Sequence, residues 1–282
     1  MKIGVIGSGT MGNGIAHSFA ANEYNVLLHD INDDLLAKGL ETIEINLNRM
    51  LKKEIINKNQ LSKTLNNIST TTNIEDMHDR NLVIEAATEN LDIKKEIFSR
   101  LDEISQNDCI LASNTSSISI NTLADSTQRP SKVIGMHFMN PVPIMKLVEV
   151  IKTNRTDLDV LHFINQTAIN LKKEPIECLD SPGFISNRIL IPMINEAIYA
   201  FMEGVATKES IDSIMQLGMA HPMGPLALAD LIGLDVCLSI MNVLKDGFSG
   251  NPKYEPCPLL VEMCKDGKLG RKTGEGFYKY GF

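Results

Sequence analysis

Ile3-Gly4-Val5-Ile6-Gly7-Ser8-Gly9-Thr10-Met11-Gly12 is the stretch that decides the fold. Lys2 to Ile6 is a short apolar, β-branched run, and Gly12 to Asn22 continues with a helical pattern. A GxGxxG pattern alone is a weak signal; between a strand and a helix it acquires a physical reading. Gly7 permits a tight turn, Gly9 lets a pyrophosphate approach the backbone, and Gly12 lets the helix pack close to the strand. Free N–H groups and the positive end of the helix dipole then face the phosphates. Ser8, Thr10 and Met11 complete the loop and join the three glycines as candidate cofactor contacts. The next strand, Val26 to His29, ends at Asp30, placed to accept from the adenosine ribose hydroxyls. An acid there repels a 2′-phosphate, and no Arg follows in the next few residues. NAD is therefore expected, with NADP left open to a cation arriving from elsewhere.

Further buried-strand candidates are Leu82 to Ala86, Ile110 to Ser113 and Lys132 to Met136, with helical patterns between them. Residues 33–66 read as a long, polar, lysine-dotted helical segment broken near Asn57-Lys58-Asn59. Met145 to Ile151 and Glu174 to Cys178 read as later strands flanking a helix from about Asp157 to Asn170. Strands alternating with helices mean a mainly parallel sheet. After Asp180-Ser181-Pro182-Gly183 the texture changes to helical spacing almost throughout. The expected architecture is an α/β Rossmann-type domain over residues 1–182 and an all-α domain over 183–282, which serves substrate binding and dimerisation.

Composition sets the outer bounds. A chain of 282 residues exceeds one average domain. Apolar content of 43% with 22% charged is ordinary for a globular protein, and a net charge of -8 argues against a nucleic-acid partner. The five cysteines are odd in number and scattered, without CxxC or metal spacing, and read as free thiols. The N-terminus enters a strand directly, without a signal-peptide pattern, and no run of about 18 apolar residues occurs. A cytoplasmic protein off the membrane is expected, without a metal. Helices with several apolar faces point to a homodimer.

Ligand chemistry in a parallel sheet sits at the carboxyl ends of the strands. Ser116, in Ser113-Asn114-Thr115-Ser116-Ser117, and His137, in Gly135-Met136-His137-Phe138-Met139-Asn140-Pro141-Val142-Pro143, both fall at such ends. His137 and Glu149 lie equidistant from Pro143, so a chain doubling back there makes them cross-strand neighbours. A carboxylate on one imidazole nitrogen fixes the tautomer and leaves the other nitrogen as a base for an alcohol proton. Taken singly, a strand histidine is more often structural, but the turn-symmetric acid favours the base; Ser116 reads equally well as a loop or capping hydroxyl.

The chain resembles the L-3-hydroxyacyl-CoA dehydrogenase family over its whole length, and most of all its bacterial 3-hydroxybutyryl-CoA members. The glycine stretch, Ala112 to Ser117 and His137 to Pro143 carry the likeness. So do Asp180-Ser181-Pro182-Gly183-Phe184-Ile185-Ser186-Asn187-Arg188, His221 to Pro225, and Gly270 to Tyr278. The resemblance implies oxidation of a short-chain (S)-3-hydroxyacyl-CoA and the reverse reduction. His137 is then general base and acid, oriented by Glu149, and Ser116 and Asn187 hydrogen-bond the substrate. It implies cofactor contacts at Glu89, Lys94 and Asn114, and CoA-phosphate contacts at Lys52 and Lys53. Met139 departs from the family's usual Phe, and some members use NADP. Two alternatives stay open: a 3-hydroxyisobutyrate-type dehydrogenase, which relies on a catalytic lysine, and a non-catalytic NAD-binding descendant.

Overall fold

Eight strands make one sheet: β1 (Lys2–Ile6), β2 (Asn25–His29), β3 (Ile68–Thr71), β4 (Leu82–Glu85), β5 (Ile110–Ser113), β6 (Val133–Phe138), β7 (Leu147–Lys152) and β8 (Glu174–Leu179). The computed structural model describes residues 1–281. Strand order is β3-β2-β1-β4-β5-β6-β7-β8, and every pairing is parallel except β6 with β7. This is a Rossmann-type sheet, reversing direction outward from β1, extended by an antiparallel return. Every residue of β4, β5 and β6 is buried, the mark of strands covered on both faces.

The helices of this unit are α1 (Thr10–Ala21), α2 (Asp33–Lys52), α3 (Lys58–Asn66), α4 (Leu91–Ile104), α5 (Ile120–Ala124) and α6 (Leu158–Asn170). Asn32 caps α2 by accepting from the Leu35 amide; Asp33 and Asp34 sit at its positive end, and Arg49 and Lys52 at its negative end. The expected break in residues 33–66 is real. It occupies residues 53–57, where Asn57 and Gln60 form a reciprocal capping box that starts α3. One strand escaped the sequence reading. β3 is a four-residue edge strand, Ile68-Ser69-Thr70-Thr71, with no residue fully buried and hence no apolar period to betray it.

The chain divides into two compact units, Met1–Asp180 and the segment from Ser181 onward. The second is helical: α7 (Ser186–Met202), α8 (Lys208–Met219), α9 (Pro225–Ile232), α10 (Leu234–Gly247) and α11 (Pro258–Lys265). Ile191, Ile194, Ile198, Leu226, Leu234 and Met241 are among its core. Among the described residues no single helix is long and apolar enough to cross a membrane; α9 and α10 together reach that length but meet at a 96° bend.

Two buried acids organise this helical unit. Asp212 accepts from the Leu226 and Ala227 amides at the start of α9 and from the Tyr278 hydroxyl. Asp230 accepts from the Phe277 and Tyr278 amides and the Tyr280 hydroxyl. The Gly224-Pro225 and Gly276-Phe277-Tyr278 motifs thereby acquire a structural reason. A Cβ on Gly276 would lie 2.0 Å from an Asp230 oxygen.

Removing the Asp230 carboxylate strands three donors in a site that is 1% exposed. Asp230→Ala is therefore expected to lower unfolding stability by about 3 kcal/mol in chemical denaturation. A loss under about 1 kcal/mol would show that the C-terminal segment is held by its apolar contacts instead.

Candidate active site

The turn after β1 has the geometry that the glycines foretold. Gly7 adopts φ +95°, and a Cβ there would lie 2.7 Å from the Ala86 carbonyl oxygen. A Cβ on Gly12 would lie 1.7 Å from the Gly7 carbonyl oxygen, so the helix start and the turn exclude any side chain. Gly9 differs: a Cβ there would meet no protein atom within 4 Å. Its surroundings are an open cradle over the N-terminus of α1, which suits a pyrophosphate.

A cavity of about 890 Å³ adjoins that cradle, lined by Gly7, Gly9, Thr10 and Met11 on one side and by Asp30, Ile31, Ile74, Ile93 and Ile97 elsewhere. Its apolar isoleucines fit an adenine and its polar end fits ribose and phosphates, so the residues present fit NAD. Ser8 is buried and lines the smaller neighbouring cavity rather than this one. Its amide and hydroxyl donate to one Asp30 oxygen at 2.7 and 2.6 Å, while the Ile31 amide donates to the other. Burial raises the Asp30 pKa, but these donors outweigh it and hold the carboxyl below its usual range. Asp30, which lines this cavity, is thus an anion. Arg100 also lines the cavity, but Glu75 (Nε to Oε1, 2.8 Å) and Glu103 (2.5 Å) occupy its guanidinium.

Beneath the loops lies a charged cluster that the sequence only half disclosed. Lys94, 1% exposed, puts its ammonium 2.6 Å from Glu85 and 3.3 Å from Glu89. Glu85, wholly buried at the end of β4, also accepts from the Ala87 amide and the Ser113 hydroxyl. Glu89 accepts from the Thr115 hydroxyl at 2.5 Å and from the Ser116 and Ser117 amides at 3.1 and 3.2 Å. Burial raises the Glu89 pKa, yet Lys94 and these donors together hold it low. Glu89 and Lys94, expected as cofactor contacts, therefore also form the support of the turn that carries Ser116. Asn114 has a scaffolding bond too: its side-chain oxygen accepts from the Phe138 amide at 2.9 Å. Glu85 was missed; the available signal was an acid inside the otherwise apolar run Leu82-Val83-Ile84-Glu85-Ala86.

The antiparallel return brings the expected pair together. His137 and Glu149 are register partners, with Nδ1 and Oε2 2.8 Å apart, both buried. With Nδ1–H donating to the carboxylate, Nε2 is left as the nitrogen able to take a proton. Ser116 follows β5, whose neighbour is β6, so it shares the carboxyl edge with His137 and the glycine loop. Asn187 sits in the first turn of α7, in the second unit. Lys52 and Lys53 are exposed at the C-terminal end of α2. A smaller cavity of about 310 Å³ lies between the glycine loop, the Lys38–Asn46 face of α2 and the Asn140–Pro143 turn. Among the described residues no group of His, Cys, Asp and Glu could hold a metal ion.

Known proteins resemble this chain over its length. A family model described as 3-hydroxyacyl-CoA dehydrogenase, NAD binding domain, matches residues 2–181, and one for the C-terminal domain of the same enzymes matches residues 183–280. A protein of Deinococcus radiodurans named as a probable 3-hydroxybutyryl-CoA dehydrogenase is 51% identical, covering 99% of this chain and 100% of its own length. The human mitochondrial hydroxyacyl-coenzyme A dehydrogenase is 43% identical, covering 98% of this chain and 90% of its own. The crystal structure of (S)-3-hydroxybutyryl-CoA dehydrogenase from Ralstonia eutropha superposes with a TM-score of 0.97 at 47% identity, covering 100% of this chain and 99% of that one.

The cluster yields a test of its own. Lys94→Met leaves Glu85 buried without its cation, and breaking such a pair costs about 3–5 kcal/mol. Denaturation should register that loss. A variant of unchanged stability whose only defect is weak NADH binding would instead make Lys94 a direct cofactor contact.

Proposed function

The chain belongs to the 3-hydroxyacyl-CoA dehydrogenase family, and on that premise we propose that it interconverts short-chain (S)-3-hydroxyacyl-CoA and 3-ketoacyl-CoA esters with NAD, 3-hydroxybutyryl-CoA being the foremost substrate. The carrying observation is the buried His137–Glu149 pair, set on the same sheet edge as the glycine loop. A retired site has no reason to keep a buried histidine and acid at 2.8 Å. A dehydrogenase relying on a catalytic lysine has no use for that pair.

The residue roles follow from this reading. When bound, the nicotinamide supplies the acceptor for the hydride that leaves C3 of the ester. His137 Nε2 takes the proton of the 3-hydroxyl, and in reduction returns it to the ketone oxygen. Glu149 holds the ring by Nδ1 and balances the charge of the imidazolium. The Ser116 hydroxyl bonds the reacting oxygen, its turn fixed by Glu89. Asn187 is the second polar partner of the substrate; its assignment rests on the Asp180–Arg188 motif. Lys52 and Lys53 meet the CoA phosphates as exposed surface cations. Asp30 selects NAD, because the one arginine lining its cavity among the described residues is already engaged by acids.

We assign the helical segment from residue 183 to substrate binding and to pairing with a second copy of the chain. It exposes several large apolar side chains, Leu217 at 89% and Val205 at 73% among them, together with Ile189, Ile214 and Met219. Sedimentation or light scattering should find a dimer, and Leu217→Asp with Ile214→Asp should shift it toward monomer. A monomeric wild type would end that assignment.

The reading is tested directly by reduction of acetoacetyl-CoA, with NADH well ahead of NADPH. His137→Ala should keep near-normal NADH binding and lose about two to four orders of magnitude in turnover, the usual range for a positioned base. Glu149→Gln should also lower turnover and move the acidic limb of alcohol oxidation to lower pH, because an amide favours the charged ring less than a carboxylate. The double variant should be no worse than His137→Ala alone, as for residues acting as one unit. Additive losses, or an unmoved limb, would reduce Glu149 to a strand acid.

A further inference from the structure

Besides Lys94, Lys173 is the other buried lysine among the described residues, and the chemistry above gives it no task. It lies between α6 and β8. Lys172 turns the chain at φ +60°, and the Lys173 amide closes on the Ala168 carbonyl, which sends the side chain inward. Its ammonium donates to two carbonyl oxygens, those of Val142 (2.5 Å) and Met145 (2.7 Å). Both belong to the turn that joins β6 to β7. Burial pushes the lysine pKa down, and no carboxylate partners it among the described residues. Neighbouring His17 is lowered to about 4 by burial and by this ammonium, so it is neutral near pH 7 and adds no second positive charge.

A buried cation without an acid is a costly way to fill space, and methionine would do that with less penalty. What the ammonium alone provides is a pair of donors aimed at one turn. The other side of that turn is gripped by α1: Val142 is buried, and a Cβ on Gly14 would stand 2.9 Å from the Val142 Cβ. Between these two holds, Asn140–Pro143 form one wall of the 310 Å³ cavity that faces Lys38, Thr42 and Asn46 of α2. His137 and Glu149 do not need the lysine, because the β6–β7 ladder pairs them and Asn114 anchors the next amide.

We infer that Lys173 is a positioning residue for the CoA ester: by fixing the 140–146 turn it shapes the wall along which the ester binds, and it sets ester affinity rather than the proton transfer. The inference rests on the functional reading above. Lys173→Met should raise KM for acetoacetyl-CoA about tenfold or more, with kcat and KM for NADH within about threefold. The acidic limb of the oxidation profile should stay in place, unlike that of Glu149→Gln. Lys173→Gln keeps donors on a shorter arm and should fall between wild type and Lys173→Met. It carries the test if the methionine variant does not fold. Amide hydrogen exchange at Ile144 and Met145, whose N–H groups bond the Pro141 carbonyl, should accelerate in either variant, independently of catalysis. An unchanged ester KM, an equal loss in every kinetic parameter, or unchanged exchange in a folded variant would overturn the role. A wild type inert toward acetoacetyl-CoA would sink the functional reading instead, while the exchange experiment would still judge the lysine.

Discussion

One carboxylate carries much of this site. Glu85 ends the central strand β4 with no exposure, and its two oxygens take the Lys94 ammonium, the Ala87 amide and the Ser113 hydroxyl. Those three partners belong to the helix, the loop and the strand that meet at the sheet's carboxyl edge. An uncompensated charge there would be far too costly to keep, so the partners must be in place whenever the chain is folded. Lys94 extends the hold to Glu89, and Glu89 gathers the turn bearing Ser116. A buried, hydrogen-bonded network thus sits behind the turn that bears Ser116.

The same economy governs the other half of the site. A parallel strand after β6 would need a long crossover, whereas the antiparallel return needs only a short turn. That return places an acid directly across from a histidine at hydrogen-bonding distance. The short turn, however, has few backbone bonds of its own. It is braced from outside, by Val142 against α1 and by Lys173 from the start of β8. On the function proposed above, hydride transfer demands a fixed base and ester binding a shaped wall; the hairpin serves the first need and the braced turn the second.

Cofactor selection shows how several modest interactions combine. Asp30 stays an anion despite partial burial because Ser8 and Ile31 donate to it. Exposed ion pairs such as Arg100 with Glu75 contribute little stability. They nonetheless occupy a guanidinium that lines the same cavity. Repulsion by one acid and engagement of the cavity's arginine by two others both favour a free ribose hydroxyl over a phosphate.

Much of this was legible in the residues alone, for reasons of period and local geometry. The β1–α1 glycine spacing, the buried strands and the helical C-terminal segment are short-range patterns, and each is where the sequence places it. Even the His137–Glu149 pairing could be read, because a tight turn makes positions equidistant from Pro143 into partners. The polar edge strand β3 left no pattern to read. Nor did Lys94's inward charge, the brace at Lys173 or the anchors at Asp212 and Asp230. Each of these depends on groups distant in sequence, such as Lys173 with Val142 and Asp230 with Tyr278. A lysine or aspartate looks like solvated surface until packing decides which donors and acceptors lie beside it. Periodicity is written locally in the chain; the partner of a buried charge is chosen only when the chain closes around it.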